Sequence, residues 1–265
     1  ERQMTIRDIA IAFGYEIDKS SEKKVEKSIS SLKSMAQKAL GAIGIGLSLV
    51  KVNSLIEECQ KVNQKISAAT KGLQDQQSAQ EQILNAARNA RASYSEMAST
   101  VTGLLNTHNK LFQSVRDTAD FAELTNKAFK AAGASESSLS SLNSAVASAF
   151  TTGKLSAGGF VSLMNECPSV VTYLSKTLGT SERHVKALGT AGAITAKQLY
   201  NAFRSNADDI SASYERIGMT VTDALKYIRS SFAVWITQLN DSLRLTETIA
   251  KLMVRAFNSV MDALK

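Results

Sequence analysis

The chain has 265 residues, of which 44% are hydrophobic and 21% charged, so it can bury a substantial core. One proline and 14 glycines are too few for an all-β protein, which needs a turn signal about every 8–12 residues. The composition therefore favours long helices. The net charge of +7 is compatible with nucleic acid, an anionic membrane or an acidic protein and selects none of them.

The first predicted element is a β-strand near the N-terminus. In the segment RDIAIAFGYEI, the residues Ile9, Ile11, Phe13 and Tyr15 occupy alternate positions and share one face. A period of two is typical of a strand, and nothing later in the chain alternates convincingly. Because a lone strand cannot satisfy its own backbone groups, its partner would be another copy of the chain, another protein or a segment outside this sequence.

From Val25 onward, apolar residues recur at spacings of three and four, which predicts amphipathic helices. One such helix carries Cys59 and ends near Gly72. Between these helices lies the segment ALGAIGIGLSLV, Ala39–Val50, whose 12 residues are too few to cross about 30 Å of hydrocarbon as a helix. Its apolar character and the basic charge nevertheless support a rival interpretation, a membrane-inserting, pore-forming α-helical protein.

Helix start and stop signals divide the middle of the chain. Ser93-x-x-Glu96 and Thr195-x-x-Gln198 are capping boxes. A helix is predicted from Phe112 to Ala132, with Gly133 at its C-terminal end, and another from Ser135 to Gly153.

A series of short helices follows Gly153. Phe160 and Cys167 lie on one apolar face, and Pro168 suits the first turn of the next helix, which Gly179 ends. Gly189 and Gly192 are interpreted as further breaks. Glu166-Cys167-Pro168 is therefore predicted to be a corner between helices rather than a reactive site. Both cysteines are expected to be buried thiols.

The C-terminal third shows a heptad pattern, which predicts a coiled-coil-like helix. The chain ends at Lys265 without a cap, so the helix is expected to continue in a longer parent protein. The apolar positions step by four and three and define the predicted seam: Val221, Leu225, Ile228, Phe232, Trp235 and Leu239.

The predicted fold class is mainly α, a multi-helix array with one N-terminal β-strand and the C-terminal coiled-coil-like helix. The predicted divisions are 1–72 for the strand and glycine-bearing helices, 73–210 for a compact helical domain and 211–265 for the heptad helices.

Motifs of enzymatic chemistry are absent from the sequence. It contains no G-x-S-x-G, H-E-x-x-H, phosphate-binding loop or dinucleotide-binding fingerprint. His108 and His184 are isolated in polar segments, and the cysteines form no C-x-x-C pair. We therefore expect no catalytic residues, no metal ion and no cofactor. A hydrolase activity is the enzymatic alternative, and no paired acids or metal motif support it.

Several of these segments together resemble the tape-measure domain of tailed-bacteriophage tails. The similarity is carried by Gly153-Lys154-Leu155-Ser156, by Glu166-x-Pro168, by Leu178-Gly179, and by Gly192-x-Ile194-Thr195 before Leu199. The upstream segments AARNARASYSEMASTVTGLL and AFKAAGASESSLSSLNSAVASAF are also similar, and so is the start of the chain, AIAFGYEIDKSSEKKVEKSISSLKSMAQKALGAIGIG. The resemblance therefore covers nearly the whole chain. Gly158-Gly159 departs from the family, which often has acidic residues there.

The resemblance implies a structural, non-enzymatic protein of the virion. Such proteins act as a ruler around which the tail tube polymerises, and they occupy the tail lumen until the genome is ejected. The implied partners are further copies of the chain (a trimer or hexamer), the tail tube, tail-tip or baseplate proteins, tail-assembly chaperones and the host membrane at ejection, with no sequence-specific nucleic-acid binding. The N-terminal strand and the heptad seam are the predicted self-association elements.

Overall fold

A computed structural model describes residues 49–71, 76–107, 111–112 and 114–220, together with Asp223, Lys226 and Ser230. The chain divides into two compact units, and the described residues from 58 onward lie in the unit Glu58–Ser230. The predicted N-terminal strand, with Ile9, Ile11, Phe13 and Tyr15, lies outside the described residues. So do all six positions of the predicted seam: Val221, Leu225, Ile228, Phe232, Trp235 and Leu239.

The described residues form a mainly helical structure, as the composition predicts. They contain ten α-helices: α1 Leu49–Ala69, α2 Gln76–Asn89, α3 Tyr94–Leu105, α4 Val115–Ala131, α5 Glu136–Thr152, α6 Ala157–Glu166, α7 Ser169–Leu178, α8 Glu182–Thr190, α9 Ala196–Ser205 and α10 Ala207–Glu215.

Side-chain caps start many of these helices. Ser93 and Thr195 each form a complete capping box with Glu96 and Gln198, as their spacing predicts. Ser135 and Ser181 accept a hydrogen bond from the backbone N–H three residues further on. These oxygens satisfy backbone donors that have no partner within the helix.

The core is organised around α4, which packs against α2, α3, α5, α9 and α10. α7 packs against α6, α8 and α9, and α6 also contacts α5 and α8. The ring of Phe121 on α4 lies 5.4 Å from that of Phe150 and 5.9 Å from that of Phe203, centroid to centroid. Aromatic side chains from α4, α5 and α9 therefore form one cluster at the centre of the unit.

Two predictions about local structure are wrong. α4 begins at Val115 and not at Phe112, because Ser114 caps the helix by accepting from the backbone N–H of Asp117. Phe112 precedes the helix and places its ring 5.1 Å from that of Phe150. Gly189 lies inside α8 and is buried, so it is not a break between helices.

Candidate functional site

The signature residues that begin and end the series of short helices come together in space. Gly153 and Leu155 lie between α5 and α6, and Gly192 and Thr195 lie between α8 and α9. The Leu155 N–H donates to the Ile194 carbonyl at 2.8 Å, and the Ala196 N–H donates to the Gly153 carbonyl at 2.9 Å. We call this pair of loops the signature crossing; it includes an antiparallel bridge between Lys154 and Thr195.

Glycine is required at two points of the signature crossing by backbone conformation. Gly153 has φ 81° and Gly192 has φ 63°, values that L side chains rarely adopt. Gly153 ends α5, and Gly192 follows α8. A Cβ atom on Gly192 would itself make only an ordinary contact, 3.6 Å from the Ala157 nitrogen at the start of α6, so the backbone angle and not the space is what calls for glycine. The two glycines therefore turn the chain so that the loops can meet.

The signature crossing combines buried apolar residues with polar residues that cap two helices. Leu155 and Ile194 are each 0% exposed. The Ser156 hydroxyl accepts from the Gly159 N–H at 3.1 Å and caps α6. Thr195 caps α9 by accepting from the Gln198 N–H at 3.2 Å. One crossing thus anchors the ends of α5 and α8 and the starts of α6 and α9.

The segment Glu166-Cys167-Pro168 is a corner, as predicted. α6 ends at Glu166, and α7 begins after Pro168, whose φ of −56° suits a first helical turn. The Cys167 thiol is buried and donates to the Ala128 carbonyl of α4 at 3.6 Å. Burial raises the pKa of this thiol, which disfavours the reactive thiolate. Both cysteines are buried, in agreement with the sequence prediction.

The contact between α6 and α8 depends on Gly189, which sequence reasoning misread. A Cβ atom at Gly189 would lie 2.3 Å from the ring of Phe160, much closer than real Cβ atoms approach other atoms. The two helices pack this closely only because residue 189 has no side chain. An isolated glycine inside a helical pattern was the available signal.

The remaining signature residues also have places in the helical framework. Gly179 adopts φ 63° and ends α7, and Leu178 before it is half-buried. Glu166 and Pro168 are exposed at the corner. The described signature residues therefore shape turns, caps and close contacts between helices.

The described ranges hold neither a cluster of metal ligands nor a helix suited to a membrane. Among these residues, no three His, Cys, Asp or Glu side chains are grouped so that they could hold a metal ion. None of the helices described there combines the length and apolar character needed to cross a membrane. Ala39–Leu47, most of the segment that motivated the membrane interpretation, lies outside those ranges.

Comparison with known proteins identifies a family. A family model described as "Tape measure protein" matches residues 51–241, which is more than half of the chain and includes the whole signature crossing. No curated protein matches the chain, and no solved structure does.

Proposed function

The chain belongs to the tape measure protein family, a structural family of phage tails, and we propose that it supplies a folded head to a protein that acts as a ruler for tail length. In this proposal the protein occupies the lumen while the tail tube assembles around it and leaves when the genome is ejected. The family match over residues 51–241 is the observation that carries the proposal.

The helix lengths support the assignment of a head rather than a measuring rod. A helix rises about 1.5 Å per residue, so chain length is proportional to physical length only while the helix continues. α1, with 21 residues, is the longest described helix, and α6 to α10 have only 9 or 10 residues each. Turns at Gly153, Gly179 and Gly192 fold this stretch back on itself, so in this proposal the stretch is not the measuring rod.

Tail length in the complete virus tests this division of roles. In-frame deletions of helical segments outside 51–241 are expected to shorten tails by about 1.5 Å per deleted residue. Destabilising the unit with Gly189→Ala is expected to reduce the number of tails without changing their length, because the head measures nothing. Tail lengths in electron micrographs give both readouts. The proposal is wrong if outside deletions leave the length unchanged, or if Gly189→Ala shortens the tails.

We also propose that copies of the protein associate through the N-terminal strand and the seam, as a trimer or hexamer coaxial with the tube. Heptad positions need a facing helix, and an uncovered strand edge promotes association. The proposed further contacts are with the tail tube, the tail tip or baseplate, a tail-assembly chaperone and the host membrane at ejection.

Analytical ultracentrifugation at tens of micromolar tests the association. Trp235→Ala and a truncation that begins at Asp18 are each expected to lower the mass of the assembly. Ser162→Ala, a change at an exposed position on α6, is the control. If the unaltered chain is monomeric, or both variants associate normally and build normal tails, these elements are not the self-association surfaces.

A further inference from the structure

The residues that follow α10 are held at one end of the unit by a strained arginine. Arg91, in the turn between α2 and α3, has φ 51°, a left-handed value that is uncommon for a residue with a side chain. Its guanidinium donates to the carbonyl of Ile217 at 2.9 Å and to that of Gly218 at 3.1 Å. The same group lies over the ring of Tyr214, 4.5 Å from its centroid. Such strain persists only where surrounding contacts maintain it.

A nearly buried ion pair between Lys130 and Asp223 lies beside Arg91. The Lys130 ammonium lies 2.6 Å from a carboxylate oxygen of Asp223, and the two side chains are only 8% and 10% exposed. Lys130 also donates to the backbone carbonyl of Arg91 at 2.6 Å. The other Asp223 oxygen accepts from the N–H of Thr220 at 3.1 Å, and the Thr220 hydroxyl accepts from the N–H of Asp223 at 3.1 Å. This reciprocal pair has the geometry of a capping box.

Two further residues, Lys226 and Ser230, lie on the same helical face as Asp223 and make the next contacts with the unit. Asp223, Lys226 and Ser230 are helical and are spaced by three and four residues, which places them on one side of a helix. Lys226 lies 3.1 Å from a carboxylate oxygen of Glu96 and also pairs with Glu136. The Ser230 hydroxyl accepts from the backbone N–H of Tyr94 at 2.9 Å.

The anchoring groups come from neighbouring ends of different helices. Lys130 is in the last turn of α4 and Glu136 in the first turn of α5. Tyr94 and Glu96 are in the first turn of α3. Because these ends meet, one helical face can reach all of them within two turns.

We propose that Arg91, Lys130, Asp223, Lys226 and Ser230 form an exit clasp, which fixes the direction and rotation of the helix that carries Asp223, Lys226 and Ser230 and opens while the core stays folded. The described anchors are polar and charged, so removing one charge weakens the clasp. Of the helices that supply the partners, α4 and α5 are held together separately by the aromatic cluster around Phe121.

The clasp has a consequence for the proposed association, and this step alone rests on the proposed function. In the heptad pattern predicted from the sequence, Asp223, Lys226 and Ser230 fall at positions f, b and f. Leu225 and Ile228 fall at a and d, on the opposite side of a helix. A clasp that holds the b and f face therefore leaves the a and d face for a second copy.

Hydrogen exchange measured by mass spectrometry on the whole 265-residue chain tests the clasp without tail assembly. Asp223→Asn keeps an oxygen for the Thr220 N–H but leaves the buried Lys130 ammonium without its counter-charge. We expect exchange of residues 218–230 to rise about tenfold or more, while α4 and α9 keep their protection. Asp209→Asn is the matched control, because it makes the same change in the exposed Lys176–Asp209 pair; we expect less than about a twofold change there.

A second variant distinguishes the contribution of the Arg91 side chain from that of the backbone turn at residue 91. Arg91→Gly suits a positive φ and keeps the carbonyl that accepts from Lys130, but it removes the guanidinium. We expect faster exchange at residues 214–220 with the turn intact. The proposal is wrong if Asp223→Asn matches Asp209→Asn, or if exchange rises equally in every helix. If Asp223→Asn does not fold, Arg91→Gly and Lys226→Gln take its place as the test. The proposal is then wrong if these variants leave exchange at residues 214–230 unchanged, or if they unfold the whole unit.

Discussion

The signature crossing and the exit clasp both join segments that are far apart in the sequence, but they use different forces. The crossing pairs backbone groups above Leu155 and Ile194, which are fully buried. The clasp relies on the Lys130–Asp223 ion pair and on side chains that reach backbone carbonyls. Backbone pairing over an apolar layer is insensitive to pH and salt, whereas an ion pair loses its attraction once one partner is neutral.

This difference assigns the two regions different tasks. The crossing fixes the ends of four helices, so disrupting it should damage the whole unit. The clasp holds one segment at the edge of the unit, so disrupting it should release that segment alone. The four predictions below test this contrast between packing and charge.

The largest effect is expected at the contact between α6 and α8. Gly189→Ala places a Cβ atom against the Phe160 ring and should lower the free energy of unfolding by about 3 kcal/mol, at the upper end of overpacking costs. Urea denaturation measures it. Phe160→Leu replaces the ring with a smaller side chain, so the double variant should lose less than the sum of the single changes. Additive losses would show that the two residues do not share this contact.

A backbone effect of about 1–2 kcal/mol is expected at the signature crossing. Gly153→Ala forces a Cβ onto φ 81°, although nothing lies within 4 Å of the added atom. Gly158→Ala is the matched control, because its Cβ also enters open space but without positive φ. It should be neutral or stabilise α6 by up to about 1 kcal/mol. Equal denaturation midpoints for the two variants would contradict a conformational role for Gly153.

Cys167→Ala should cost about 1 kcal/mol, because it leaves a small, partly filled space at the corner. Tail assembly should continue, since the thiol has a packing role. With Cys59→Ala as background, Cys167 should react with a thiol reagent only as fast as the unit opens, because the thiol is fully buried. Lost assembly with unchanged stability would instead indicate thiol chemistry.

A smaller effect is expected from acid at the exit clasp. Lys130 and Thr220 outweigh the effect of burial and hold the pKa of Asp223 below its ordinary value of 3.8. The resulting stabilisation is complete above 3.8 and is lost as the pH falls through the lower folded-state pKa. Stability measured between pH 6 and pH 3 should therefore fall less steeply in Asp223→Asn. Ser93 and Lys226 outweigh burial and lower the pKa of Glu96 as well, and the Ser93 part of that slope stays in the variant. Equal slopes would exclude a charged clasp.

The sequence alone determined the helical class and many of the positions at which helices begin and end. Ser93 and Thr195 cap helices, and Gly133, Gly153, Gly179 and Gly192 adopt positive φ. Cys167 and Pro168 form the predicted corner. These features were accessible because caps and left-handed turns depend on residues within a few positions of one another. The strand at Ile9 and the seam through Trp235 stay predictions.

Only the tertiary structure decided how distant residues meet. In the sequence Gly189 looks like the other glycines, and only the packing of Phe160 against it shows its role. Phe112 was predicted to be helical, but it lies before α4 and its ring belongs to the aromatic cluster. Neither the bridge from Lys154 to Thr195 nor the pair of Lys130 with Asp223 leaves a periodic trace in the sequence. Helical periodicity records which side of a helix faces inward, but the partner on that side is chosen by the packing of the whole unit.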